Sequence, residues 1–284
     1  MKTLRELLDH AVPRFEEAGL VYGHGTTNAL DEAAWILLHA VGLPPDALNA
    51  NLDKPQSKAK VAAALALVEA RVRTRKPAAY LLHAAWLGPH RFYVDERVIV
   101  PRSFIAEFLR DWTWATPRTV LDLCTGSGCL AILAALRFPE ASVDAVDLSA
   151  DALEVARRNV DDHGLQRRVS LVASDLMSAL RGRRYDLILS NPPYVKAASM
   201  RRLPPEYREE PGMALASGRD GLDHTRAILA QAPAHLAPEG LLMVEIGHNR
   251  KALERAYPAL PFQWPRTSAG KGFVFTLGRG DFTP

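Results

Sequence analysis

The residues with the most chemistry to offer stand at the ends of short apolar runs. Tyr185 to Ser190 has the make-up of a buried parallel strand and stops at Asn191-Pro192-Pro193-Tyr194. Proline fixes its own φ, lacks an N–H and pushes the preceding residue into an extended conformation, so Asn191 and Pro192 are both held rigid. Asn191 then offers a side-chain oxygen, and Pro192 a main-chain oxygen, at the carboxyl end of a strand, where open α/β sheets bind their ligands. Tyr194 adds a flat face beside them. An Asn-Pro pair alone fits a plain turn, but a four-residue run after a hydrophobic strand asks for a planar NH₂ group as its partner.

Three more stations of the same kind precede it. Asp122-Leu-Cys-Thr-Gly-Ser-Gly-Cys129 carries an apolar strand into a glycine loop that opens a helix, with Ala131 at the small third position. Gly126 and Gly128 allow a sharp turn and close approach of backbone to a ligand, with Cys124, Thr125 and Ser127 between and beside them. Asp147, followed by Leu148, ends the next strand 21 residues after Gly126, where a carboxylate accepts both hydroxyls of a ribose. Asp175, followed by Leu176, ends the third strand and is placed to accept from an adenine amino group; as Ser174-Asp175 it also reads as a helix start. A nucleoside cofactor fits these residues. Asp122 suits an ammonium and the loop amides a carboxylate, as S-adenosyl-L-methionine would require, whereas a dinucleotide would place its pyrophosphate on the loop.

Composition narrows the field without choosing. Among 284 residues, 48% are hydrophobic and 24% charged, as in a soluble globular protein, and the net charge of +3 is far below that of a dedicated nucleic-acid binder. The two cysteines, Cys124 and Cys129, form neither a zinc pattern nor a disulfide framework, so no metal is expected and a reducing, cytoplasmic setting is. The start lacks a signal-peptide pattern, and no run is long enough to span a bilayer.

The elements that must position these stations follow from periodicity. Residues 1–84 carry apolar residues at helical spacing: a stripe of Leu4, Leu7, Leu8 and Val12, a helix capped by Thr27 or Asn28 and ended at Gly42, and a third over Lys58 to Thr74. The basic run Arg71 to Lys76 reads as a solvated helix end. Residues 85–102 alternate and predict a β-hairpin linker turning at Asp95-Glu96, with Arg97 to Val100 as its second strand. Residues 103–284 predict a helix capped by Ser103, then alternating strands and helices: strands at Thr119 to Cys124, Ser142 to Asp147, Arg168 to Ala173, Tyr185 to Ser190 and Gly240 to Ile246. Helices are expected at Cys129 to Arg137, Ala150 to Asp162, a short stretch before Tyr185, Asp220 to His235 and Arg250 to Ala256. Phe262 to Trp264 and Gly272 to Leu277 are expected as a closing hairpin, and Gly278 to Pro284 as a frayed tail. Such alternation means an α/β fold with a mostly parallel sheet covered on both faces.

Asp122 to Cys129, the acidic strand end at Asp147 and Asn191 to Tyr194 together resemble the class I, Rossmann-like S-adenosylmethionine-dependent methyltransferases, and more narrowly the protein-(glutamine-N5) methyltransferases of the HemK type. The likeness extends over Glu210-Pro-Gly-Met-Ala-Leu215, Gly218-Arg-Asp-Gly221 and Glu245-Ile-Gly247. Within the family, Phe92 to Ser103 is similar to the branch modifying a glutamine of large-subunit ribosomal protein three. The release-factor branch has Pro-Arg-Pro-Glu-Thr-Glu where this chain has Pro101-Arg-Ser-Phe-Ile-Ala106; Phe104 also departs from the proline of the ribosomal branch. The resemblance implies methyl transfer to a glutamine amide held by Asn191, Pro192, Pro193 and Tyr194, with Asp122, Cys124 to Gly128, Asp147, Leu148, Asp175, Leu176 and Asn191 around the cofactor. It implies a ribosomal protein as partner, free or in an assembly intermediate with incidental rRNA contact, a docking role for the helical domain, and no membrane. The residues alone leave open an adenine-N6 methyltransferase acting on DNA or RNA, a nicotinamide dehydrogenase, and a ribosome-assembly module without catalysis.

Overall fold

A computed structural model describes residues 1–282. The N-terminal part is all helical: α1 (Leu4–Glu17), α2 (Ala29–Val41), α3 (Leu48–Asn51), α4 (Lys58–Thr74) and α5 (Ala78–Leu82). Local chemistry sets the ends. Thr3 and Glu6 form a capping box before α1, the Asn28 side chain caps α2, and Gly42 closes α2 in the left-handed conformation. The apolar faces meet in one cluster that includes Leu4, Leu7, Phe15, Ile36, Leu37 and Val68.

The basic run at the end of α4 is not a solvated helix end. Arg71 is fully buried against Glu32 at 2.7 Å, and its guanidinium lies 3.7 Å from the equally buried Glu206; Arg75 reaches Glu206 at 2.7 Å, and Lys76 pairs with Glu96. The run is the inner half of an ion network whose other half comes from far along the chain.

The hairpin also differs from the sequence expectation. Strands β1 (Ala85–Leu87) and β2 (His90–Phe92) turn at Gly88-Pro89, with Gly88 at φ +59°, and Arg97 to Val100 is not a strand. Asp95 instead receives the Arg97 guanidinium at 2.9 and 2.7 Å and the Tyr93 hydroxyl at 2.9 Å, so side chains fold the segment back on itself. Val94, Val98 and Val100 are buried beside Tyr80 and Val155.

The remainder is the α/β unit: α6 (Ile105–Arg110), β3 (Thr119–Leu123), α7 (Cys129–Arg137), β4 (Ser142–Asp147), α8 (Ala150–Asp162), β5 (Val169–Ala173), β6 (Tyr185–Ser190), α9 (Ala197–Met200), α10 (Pro205–Arg208), α11 (Asp223–His235), β7 (Leu236–Glu245), α12 (Arg250–Ala256), the two-residue strands β8 (Arg266–Thr267) and β9 (Gly270–Lys271), and β10 (Val274–Gly278). The six-stranded sheet runs β10-β7-β6-β3-β4-β5; only β10 is antiparallel. Leu187 and Leu189 of β6 face α6 and α7 on one side, and Ile188 faces α11 and α12 on the other. Each such buried leucine contributes about 1.5–3 kcal/mol through burial.

Three expectations fail at connections. Residues 174–183 form turns and no helix, because Leu176 takes φ +47°; Asp175 is therefore not a helix start. Phe262 to Trp264 contributes one isolated bridge, Gln263 to Thr276, while β8 and β9 form their own small ladder. Arg279–Phe282 is a 3₁₀ turn and not frayed, with Asp281 accepting from the Gly278 N–H at 2.8 Å; residues 283–284 of the expected tail lie outside those described. No described helix is long and apolar enough to cross a membrane.

Candidate active site

Strand β3 has neighbours on both sides, β4 and β6, that are reached by connections running in opposite directions, and the carboxyl ends of these strands open into a crevice. Three cavities meet there. The first, about 720 Å³ with its mouth, is lined by Cys124, Gly126, Asp147, Leu148, Asp175, Leu176, Asn191 and Pro193 among others. A second, continuous in its lining, reaches Asp122, Cys124, Thr125, Gly126, Ser127 and Asn191. The third opens outward past Asn191, Pro192 and Tyr194 to Phe104, Tyr207 and Phe273. Asn191 lines all three. Its Oδ1 is buried with no hydrogen-bond partner.

The glycine loop is built by backbone geometry. Cys124, Gly126 and Gly128 all have positive φ, and Asp147 Oδ2 accepts the Gly126 N–H at 2.8 Å while Oδ1 accepts the Ser149 N–H at 2.9 Å. A side chain added at Gly126 would meet open space, so the cleft runs directly over this residue. Gly128 does something else: a Cβ there would lie 3.2 Å from the Ala156 methyl, so it lets α8 pack closely and lines none of the three cavities. Ser149, and not Asp147, caps α8.

Asp122 is a buried acid, 1% exposed. Its Oδ2 accepts from Thr125 Oγ1 at 2.5 Å and the Ala131 N–H at 3.1 Å, while Oδ1 has no donor. Burial pushes its pKa up to about 7 against the pull of those bonds. Burial likewise raises Asp147, and it holds both loop thiols above the ordinary range, so Cys124 and Cys129 stay protonated. A buried carboxylate lacking one donor and a cleft with Gly126, Asp147 and Asp175 in its lining fit the ammonium and nucleoside parts of S-adenosylmethionine, whereas the loop amides expected for its carboxylate are engaged within the protein: Thr125 N–H on the Val146 carbonyl, Gly126 N–H on Asp147 and Gly128 N–H on the Thr125 carbonyl. No group of His, Cys, Asp or Glu among the described residues is arranged to hold a metal.

Sequence reasoning assigned no role to several residues that shape the outer cavity. Glu245, 2% exposed at the end of β7, accepts from the Ser103 hydroxyl, the Phe104 N–H and the Tyr194 hydroxyl. Ser103 accepts the Ile105 N–H at 3.2 Å, so it does serve the start of α6, but its proton goes to Glu245. Arg102, in the lining, is held in a fork by Glu210, which also takes the Val100 N–H at 3.0 Å. Tyr207 packs with its ring tilted at 51° to that of buried His24, centroids 4.3 Å apart, and tethers the cavity wall to the helical bundle. The signal for Glu245 was the one that marked Asn191, a polar residue ending an apolar strand; at Glu245 a glycine, Gly247, follows two residues on.

Residues 103–203 match the family described as Methyltransferase small domain, and residues 6–82 the PrmC N-terminal domain. A ribosomal protein uL3 glutamine methyltransferase of Neisseria meningitidis serogroup B is 55% identical over 98% of this chain and 94% of its own. One from Burkholderia pseudomallei is 52% identical over 97% of this chain and 94% of its own. Among solved structures, the hMettl16 catalytic domain in complex with a MAT2A 3'UTR hairpin covers 78% of this chain and 82% of its own with TM-score 0.52; at 13% identity the likeness is one of fold.

Proposed function

Because this chain belongs to the ribosomal protein uL3 glutamine methyltransferase family, we propose that it transfers a methyl group from S-adenosylmethionine to the N5 of a glutamine side chain in uL3. The observation that carries this reading is Asn191, which lines the inner cavities and the outer one and keeps a buried Oδ1 without a donor. When bound, S-adenosylmethionine supplies the methyl group, activated on a sulfonium.

Everything else is the work of the chain. An amide nitrogen is a weak nucleophile because its lone pair is delocalised into the carbonyl, so position matters more than proximity. Asn191 Oδ1 accepts one amide hydrogen and the Pro192 carbonyl the other, which turns the nitrogen toward the inner cavity; as the nitrogen gains the methyl group it loses one of these protons through its acceptor to water. A glutamate in the same place offers no donors and is refused. Tyr194 packs on the flat amide, and Pro193 keeps the turn rigid between them. Asp122 holds the ammonium of the cofactor, Asp147 its ribose, and Asp175 with Leu148 and Leu176 its adenine. Orientation of this kind supplies up to ~7–11 kcal/mol in favourable intramolecular cases. The helical bundle serves to dock the substrate protein.

The test is transfer of labelled methyl from S-adenosylmethionine to uL3 from unmodified cells, beside duplex DNA and a release factor as competitors. Label is expected in uL3 at a glutamine, and label only in nucleic acid or release factor would overturn the reading. Asn191→Ala is expected to abolish transfer while cofactor affinity in calorimetry stays within a few-fold.

A further inference from the structure

Glu245 is not among the groups that the reaction needs, yet its carboxylate takes three donors at the carboxyl edge of the sheet. Its Oε2 accepts the Ser103 hydroxyl at 2.7 Å and the Phe104 N–H at 2.9 Å, and its Oε1 accepts the Tyr194 hydroxyl at 3.2 Å. The three donors come from different parts of the chain: the entry to α6 and the segment after β6 converge on the end of β7. The carboxylate accepts all three at once; a glutamine that kept its carbonyl oxygen for Ser103 and Phe104 would turn its NH₂ to the Tyr194 hydroxyl and reverse that bond, so the hydroxyl proton would lose this acceptor. Burial pushes this carboxyl up to about 7, with Arg102 as the nearby cation that eases its charge. A site that needed only to end a strand would be served by an apolar residue at no such cost.

What Glu245 ties down is the lining of the outer cavity. Tyr194 is fixed at every point of its length. Its hydroxyl is on Glu245, its ring lies against Gly247, where a Cβ would fall 2.8 Å from the ring, and its carbonyl accepts from the Asn249 amide at 2.8 Å. Phe104 is held by its own N–H on Glu245 and packs at 5.3 Å on Phe273. Tyr194, Phe104 and Phe273 line the cavity that also holds Asn191.

We propose that Glu245 and Ser103 are positioning residues of methyl transfer: they set Tyr194 and Phe104 as the aromatic walls that clamp the substrate amide against Asn191. This rests on the reading of the outer cavity as the glutamine site. Neither residue touches the reacting atoms; both act through the walls they hold. A displacement of about 1 Å at such a wall costs up to ~10²-fold in rate.

The experiment compares Glu245→Gln, Ser103→Ala, Tyr194→Phe and the Glu245→Gln/Tyr194→Phe double variant by steady-state transfer to uL3, with cofactor affinity by calorimetry. Glu245→Gln is expected to lower kcat about tenfold or more with cofactor affinity unchanged within twofold, and the double variant to be no slower than the slower single one. Ser103→Ala, which leaves the carboxylate in place, is expected to lower kcat in the same direction by less, and it decides the matter if Glu245→Gln does not fold. A kcat within twofold of wild type for both, or losses that multiply in the double variant, would overturn the proposal. An arm without turnover follows the Tyr194 ring by NMR of ring-labelled tyrosine: its signal is expected to move in Glu245→Gln and in Ser103→Ala. An unmoved signal in both overturns the positioning role even if uL3 proves not to be the substrate, whereas absence of label from wild-type enzyme with the signal moved removes only the substrate assignment.

Discussion

The cofactor affinity of this protein is expected to rise with pH through the neutral range, because of Asp122. Its carboxyl sits at the end of β3 with one oxygen lacking a donor, and burial lifts its pKa from 3.8 to about 7. The sign follows from which form each state prefers. The folded protein without cofactor prefers the neutral acid, so this group stabilises the fold below pH 3.8 and that contribution is lost as pH rises through about 7. The loss amounts to roughly 4 kcal/mol for a shift of some three units. A bound ammonium reverses the preference by pairing with the carboxylate. At pH 5.5, some 1.5 units below the folded value, about 3% of the carboxyl is ionised, so the dissociation constant should rise ~30-fold over its value well above pH 7, or about 2 kcal/mol. Calorimetric titration with S-adenosylmethionine between pH 5.5 and 7.5 would measure it. Asp122→Asn, which keeps the shape and removes the charge, should bind weakly and with a flatter profile, and so separates Asp122 from Asp147, whose pKa is also raised by burial. A flat wild-type profile, or an equally steep one in Asp122→Asn, would refute Asp122 as the partner of the ammonium.

Two further outcomes are expected. Asp147→Ala removes a ribose acceptor worth about 1.5–3 kcal/mol per charge-assisted bond and also frees the Gly126 N–H, so cofactor affinity should fall at least tenfold; unchanged affinity in calorimetry would remove the assignment. Glu206→Gln takes the charge from a fully buried acceptor of the Val21 N–H and Arg75 that also faces Arg71, and should cost about 3–5 kcal/mol in urea unfolding. A loss below about 1 kcal/mol would show that the network is neutral to stability.

The strands and helices of the α/β unit were legible because each is marked locally. Cys129–Arg137, Ser142–Asp147, Ala150–Asp162, Tyr185–Ser190 and Arg250–Ala256 have the expected bounds, set by apolar runs and by the polar residues that interrupt them. Strand ends could also be found, and with them the polar residues that the sheet gathers at one edge. What escaped depends on partners distant in sequence. The turn placed at Asp95-Glu96 is a side-chain device, held by Tyr93 and Arg97, and resembles a hairpin only in composition. The helix expected after β5 gives way to a left-handed Leu176 in the lining of the cleft at the strand ends, where the local preference for helix is overruled. Arg71 looks like any helix-end cation until Glu206 arrives. Ser103 looks like a cap because its bond to Glu245 spans 142 residues.

That dependence on distant partners has a consequence for synthesis. Val21 and the Glu206 carboxylate that takes its N–H are 185 residues apart, and at ~5–20 residues per second the second is made roughly 10–40 s after the first. During that interval the helical bundle can bury its apolar faces and pair Arg71 with Glu32, but Arg75 has no carboxylate and His24 lacks the Tyr207 ring it packs against. The bundle therefore leaves the ribosome as an unfinished surface. It is completed only when the segment that walls the outer cavity folds onto it, so the two parts of the chain mature together.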